Sequence, residues 1–179
     1  MKTKNRILAR RDFLIAAAAT STAFLPGCKS TRGNGWDFLT DQSAQTLRVI
    51  CDQIIPADEF PSASQAGVLT FIDRQLVRNL RRYRETYTDG LAQANLISRK
   101  LFRCDLHEAA DAQQLAVVTA LEQQNPDFFR LVRNHTLDGY YGAPRHGGNR
   151  DAASWRMLGL KEPPPLGRAQ YGPGKESPQ

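Results

Sequence analysis

The 179-residue chain carries 24 Lys and Arg against 18 Asp and Glu, a formal charge of +6, but seven of those basic residues and only one acid fall in residues 1–32. Beyond that point 17 basic residues face 17 acids, so the body is close to neutral and lacks the electrostatic footprint of a nucleic-acid binder. Once a leader is set aside, about 150 residues remain, enough for one domain around one core.

Arg10-Arg11-Asp12-Phe13-Leu14 places two consecutive arginines ahead of a short apolar run, the pattern of a twin-arginine export signal with Arg10, Arg11, Phe13 and Leu14 as its carriers. Lys2, Lys4 and Arg6 precede it, and residues 13–25 (FLIAAAATSTAFL) fall short of the roughly 20 residues that span a bilayer. The stretch reads as a leader, and the expected destination is the periplasm. The twin-arginine route moves proteins already folded in the cytoplasm, usually because a cofactor has been inserted or a partner bound. Leu25-Pro26-Gly27-Cys28 resembles the lipobox of bacterial lipoproteins, with Pro26 as a departure. Lipidation of Cys28 would tether the domain to a membrane surface, each buried methylene contributing about 0.8 kcal/mol. The alternative is a cut after Ala23 that leaves Cys28 a plain thiol. The expected layout is a signal peptide over 1–27, a lipid-anchored spacer over 28–35, a helical domain over 36–160 and an extended or disordered tail over 161–179.

From Thr40 as N-cap, Ala44, Leu47, Ile50, Cys51, Ile54 and Ile55 recur at helical spacing until Pro56 stops the run. After a turn over 56–61, Ser62 or Ser64 is positioned to cap a second helix whose face is Ala66, Leu69, Ile72, Asp73 and Leu76. Arg78 to Arg84 holds four arginines, which suit an acidic or phosphate-bearing partner. With Glu85 and Asp89 following, the spacing favours a solvated helix surface laced with i,i+4 pairs. A third helix runs from about Gly90 through Leu91, Ile97 and Phe102. Asp105-Leu106-His107-Glu108 has capping-box spacing before a fourth helix marked by Leu115, Val118 and Leu121. Asn125-Pro126 opens a fifth that carries Phe128, Val132 and His135 to Gly139. Residues 140–151 form a glycine-rich, aromatic and charged loop before a short helix through Trp155, with Asn149 or Asp151 able to cap it. The tail from Lys161 has five Pro and three Gly in 19 residues and cannot hold a core element. The fold class is all-α, a single domain of five to six helices.

No motif for a cofactor or metal is present: no C-x-x-C-H, no C-x-x-C pair or cysteine cluster, no Glu-x-x-His, no G-x-G-x-x-G after a strand, and Gly147-Gly148 lacks the ending of a phosphate loop. His107, His135 and His146 are scattered, and His135 on its apolar helix reads as a core residue. Cys51, on an apolar stripe, reads as buried and inert. Cys51 and Cys104 have two equally weighted readings, a disulfide in an oxidising compartment or two separately buried small side chains. The chain is expected to have no catalytic residues, and a bound partner then explains folding before export.

Ile54-Ile55-Pro56-Ala57-Asp58, Ala66 through Asp73, Phe128-Phe129, Thr136 through Tyr141, and Gly147-Gly148-Asn149-Arg150-Asp151 with Trp155 and Gly159 together resemble the small subunit, subunit 3, of bacterial gluconate 2-dehydrogenase and related membrane-bound sugar dehydrogenases, from about Leu47 to Pro163. The resemblance implies a non-catalytic helical subunit that binds a large FAD-containing dehydrogenase and carries that leaderless partner through the twin-arginine translocase. It remains in a complex that a cytochrome c subunit often completes. The loop is the expected contact through Tyr140, Tyr141, Arg145, Gly148, Asn149, Arg150 and Trp155, because aromatic and Arg side chains supply most hot-spot energy. In the alternative, Tyr140 and Trp155 pack the core while Asn149 and Asp151 only cap a helix. A different class of function also stands open: an autonomous lipoprotein binding a small ligand between Tyr140, Tyr141, His146 and Trp155.

Overall fold

The computed structural model describes residues 35–161; the export signal, Cys28 and nearly all of the spacer and tail lie outside the described residues. Six α-helices and no strand occur among the described residues. Helix α1 (Asp41–Ile54) begins at the expected cap: the Ser43 amide donates to Thr40 Oγ1 while the Thr40 amide donates to Ser43 Oγ, so two otherwise orphaned donors satisfy each other's residue. Leu47, Ile50 and Cys51 are fully buried, and α1 touches each of the next four helices. It is the axis of the bundle.

Helix α2 (Val68–Leu76) starts later than the serines suggest. Ser62 and Ser64 are spent in the preceding turn, Ser64 donating from both its amide (2.8 Å) and its hydroxyl (2.7 Å) to Asp52 of α1. The chain then enters α2 through Gly67 in the left-handed conformation, φ 85°. The expected face is buried, Asp73 included. That carboxylate accepts the backbone N–H groups of Asp37, Phe38 and Leu39 at 2.7, 2.9 and 2.8 Å, fastening the segment ahead of α1 across α2.

Residues 78–83 depart from the expected helix surface: the chain turns, closes a 3₁₀ turn at Arg81–Tyr83, and forms no i,i+4 ion pair there. Helix α3 (Arg84–Phe102) follows, and Gly90 lies inside it instead of at its start. The reason is packing: a Cβ on Gly90 would lie 2.4 Å from the ring of Phe128. The Asp105–Glu108 capping box forms but closes only a 3₁₀ turn, Leu106–Glu108, tied down by the buried Asn95, which accepts from the Leu106 amide and donates to Thr46 of α1. Helix α4 (Asp111–Gln124) begins three residues later. It buries Val117, Val118 and Leu121 but leaves Leu115 exposed, against the expected face.

Helix α5 (Pro126–Tyr141) starts at Asn125, whose side chain accepts the Phe128 amide, with Pro126 in the first turn. It packs on α1, α2, α3 and α4, and the five-residue α6 (Ala153–Met157) rests against it. His135 is a core residue: it stacks on Tyr87 with rings 4° from parallel and hydrogen-bonds its hydroxyl at 2.9 Å. Cys51 and Cys104 stand as separate free thiols, and only Cys51 is buried as the second reading expects. The Cys51 sulfur is enclosed between α1 and α5 and paired with Thr136 Oγ1 at 3.3 Å, while Cys104 lies half-exposed beyond α3.

Candidate functional site

The loop after α5 is built by backbone meeting backbone, which is why it is rich in glycine. Gly148 is buried where a Cβ would lie 2.1 Å from the Gly139 carbonyl oxygen, and the Gly147 carbonyl comes within 2.9 Å of the Cβ position at Gly67. The Arg150 amide then donates to Ala66 O at 2.8 Å. These contacts seat the loop on the turn that opens α2.

Asn149, fully buried at φ 44°, braces the loop from inside: its Nδ2 donates to Gly142 O at 2.9 Å and its Oδ1 accepts the Ser154 amide at 3.0 Å. Of the two expected caps, Asn149 fills the role. Asp151 is exposed and, like Ala152, sits at positive φ (55° and 52°), a costly conformation for residues with a side chain. Tyr140 is buried and donates its hydroxyl to Pro61 O at 2.8 Å. Trp155 is half-buried and donates its indole N–H to Tyr141 O, also at 2.8 Å.

The seven expected contact residues therefore divide. Tyr140, Gly148 and Asn149 are absorbed by the fold, and Trp155 holds the end of α5. Tyr141 (41 % exposed), Arg145 and Arg150 face outward, with the exposed Leu158 and Leu160 following α6. Of the cavities that lie elsewhere, one, about 510 Å³, runs between α4 and α5 and is lined by Leu115, Val118, Phe129, Arg130 and Arg133; another, about 270 Å³, lies between Phe38, Thr40 and α3. Neither lining includes Tyr140, Tyr141, His146 or Trp155, the residues of the small-ligand alternative.

Interior groups with chemical potential are held in unreactive states. Burial pushes the Cys51 thiol up to about 12, a value at which no thiolate forms near neutrality. Burial likewise raises Tyr87 well above its usual range and holds His135 below its own. Among the described residues no group of three or more His, Cys, Asp or Glu side chains is placed to hold a metal ion, and no helix is long and apolar enough to cross a membrane.

The sequence model of a family described as gluconate 2-dehydrogenase subunit 3 matches residues 41–161. That span runs from the first residue of α1 to the end of the described chain. No curated protein and no solved structure gives a significant match.

Proposed function

The chain belongs to the gluconate 2-dehydrogenase subunit 3 family, and from that premise we propose that this accessory subunit of a dehydrogenase complex assembles with an FAD-bearing catalytic subunit and carries it, already folded, through the twin-arginine translocase. The observation that carries the reading is the Arg10-Arg11 leader joined to a family-matched body. A leader of this type serves cargo that folds before export, and the interior groups of the body are spent on packing. The subunit itself is non-catalytic, and the companion supplies flavin and substrate site. The complex resides in the periplasm, held at the membrane through a lipid on Cys28, and a cytochrome c subunit can complete it. Contact with the companion runs through the outward side of the loop, Tyr141, Arg145 and Arg150.

Replacing Arg10 and Arg11 by Lys tests the export role. Cell fractionation with a dye-linked dehydrogenase assay should find both chains in the cytoplasm, the companion still holding flavin. Full activity outside the inner membrane in cells lacking this subunit would mean that the companion exports itself.

A further inference from the structure

We propose that Arg74, Arg78, Arg81, Arg145 and Arg150 form one docking ridge for a carboxylate-bearing face of the companion dehydrogenase subunit, an inference that rests on the subunit reading above. The ridge is assembled from two segments far apart in sequence. Where the loop sits on α2, the Arg74 guanidinium lies along the backbone of Gly147, its Nη1 3.1 Å from the position a Cβ would take, and Arg150 Nη2 comes within 3.9 Å of the corresponding position at Gly67. Arg145 stands two residues before Gly147, Arg78 lies in the turn that follows α2, its amide donating to Gln75 O at 2.9 Å, and Arg81 Nε donates to Arg78 O at 3.0 Å. All five side chains belong to exposed residues.

No ion pair among the described residues compensates their charge. The ion pairs among the described residues are Arg99–Asp105 and Arg130–Asp127, neither on the ridge. The one acid on α2, Asp73, is turned inward onto the amides of residues 37–39, and residues 74–84 contain five arginines and no acid before Glu85. Two of those five have other employment: Arg84 donates to Leu76 O and lies over the Phe38 ring, and Arg82 lies over Tyr83. The ridge is thus a local concentration on a body of balanced charge, and like charges held side by side call for a surface of opposite sign.

Side-chain identity favours a protein over a lipid surface. Diffuse attraction to anionic headgroups does not distinguish Lys from Arg, whereas the planar guanidinium fork fits carboxylates in pairs, and every cation on the ridge is Arg. Tyr141, four residues before Arg145, adds an exposed aromatic at the start of the same loop, the residue type that accompanies Arg at interface hot spots.

The test is co-elution of dye-linked dehydrogenase activity with the tagged, full-length subunit produced in its native host, across a salt series. Replacing Arg74, Arg78 and Arg150 by Glu should lower the co-eluting activity by about tenfold or more, and the corresponding Lys replacements by less. A control with the same charge change on other faces, Arg48, Lys100 and Arg133 to Glu, should retain it. Circular dichroism verifies the fold, and Arg78→Glu alone serves if the triple variant does not fold. Undiminished co-elution with the ridge variant, or equal loss with the control, overturns the ridge while leaving the subunit reading intact. A wild-type subunit that brings down no dehydrogenase activity overturns the subunit reading itself and removes the ridge's partner. Binding of the wild type to phosphatidylglycerol vesicles that is lost in the ridge variant, with co-elution preserved, assigns the arginines to the membrane.

Discussion

His135 and Asp73 are both buried polar side chains, and they are handled differently. Asp73 serves as an acceptor on which three amides converge, whereas His135 has one hydrogen-bond partner and two aromatic neighbours, Tyr83 and Tyr87. Burial, the larger cause, and the nearby Arg82 hold its imidazole below the ordinary 6.5, with Asp138 opposing them. The folded state therefore disfavours the proton. As pH falls through 6.5 the unfolded chain takes up a proton that the folded protein declines, so the stabilisation from His135 is complete above that value and is lost as pH falls toward the lowered folded value. Urea unfolding across this window should show a decline that His135→Gln flattens; an unchanged slope would mean that other groups set it. In sequence, His135 was legible as a core residue because its helix is apolar around it. Asp73 was placed on the buried face, but its role was not legible, since its partners are backbone groups some 35 residues away that no side-chain pattern marks.

Helix starts were legible where a side chain does the capping at once, as at Thr40 and Asn125-Pro126. They were misplaced where the polar residue had another use: Ser64 belongs to Asp52, and the capping box at Asp105 closes a lone turn because Asn95 pins Leu106 away from the helical path. Gly90 was read as marking the start of the third helix, and it is an aperture for a neighbouring ring inside α3. Gly90→Ala gains about 1 kcal/mol of helix propensity but forces a methyl group against buried Phe128, and overpacking of this kind costs about 1–3 kcal/mol. The variant should be destabilised on balance, as thermal unfolding would show. A rise in Tm would mean that the Phe128 ring yields easily. Gly90→Ala combined with Phe128→Leu should recover part of any loss.

At the level of the molecule, the loop serves two masters, and substitutions should separate them. Asn149→Ala removes both braces, leaves Gly142 O and the Ser154 amide unpaired inside the protein, and puts Ala at a positive φ. A loss of about 2–4 kcal/mol is expected. Tyr141→Ala touches an exposed ring, and should change stability by no more than about 0.5 kcal/mol while weakening recovery of the companion subunit. Differential scanning calorimetry alongside co-purification measures both, and the assignment fails if Tyr141→Ala costs stability while binding is unaltered. The sequence showed that this segment was dense in information. It did not show which residues would turn inward, because that is decided by the α2 turn against which the glycines close.

The Ala66–Arg150 and Pro61–Tyr140 hydrogen bonds join stretches about 80 residues apart, and this sets an order on how the chain is made. While it is still emerging from the ribosome, α1 to α4 can gather, but the turn ahead of α2 stays uncovered until almost the whole described segment has been synthesised. The seat formed by the loop therefore cannot close before Arg150 has emerged. A companion protein that recognises arginines from both sides of that joint would meet its binding surface only on finished molecules, so truncated or half-folded chains would pass it by.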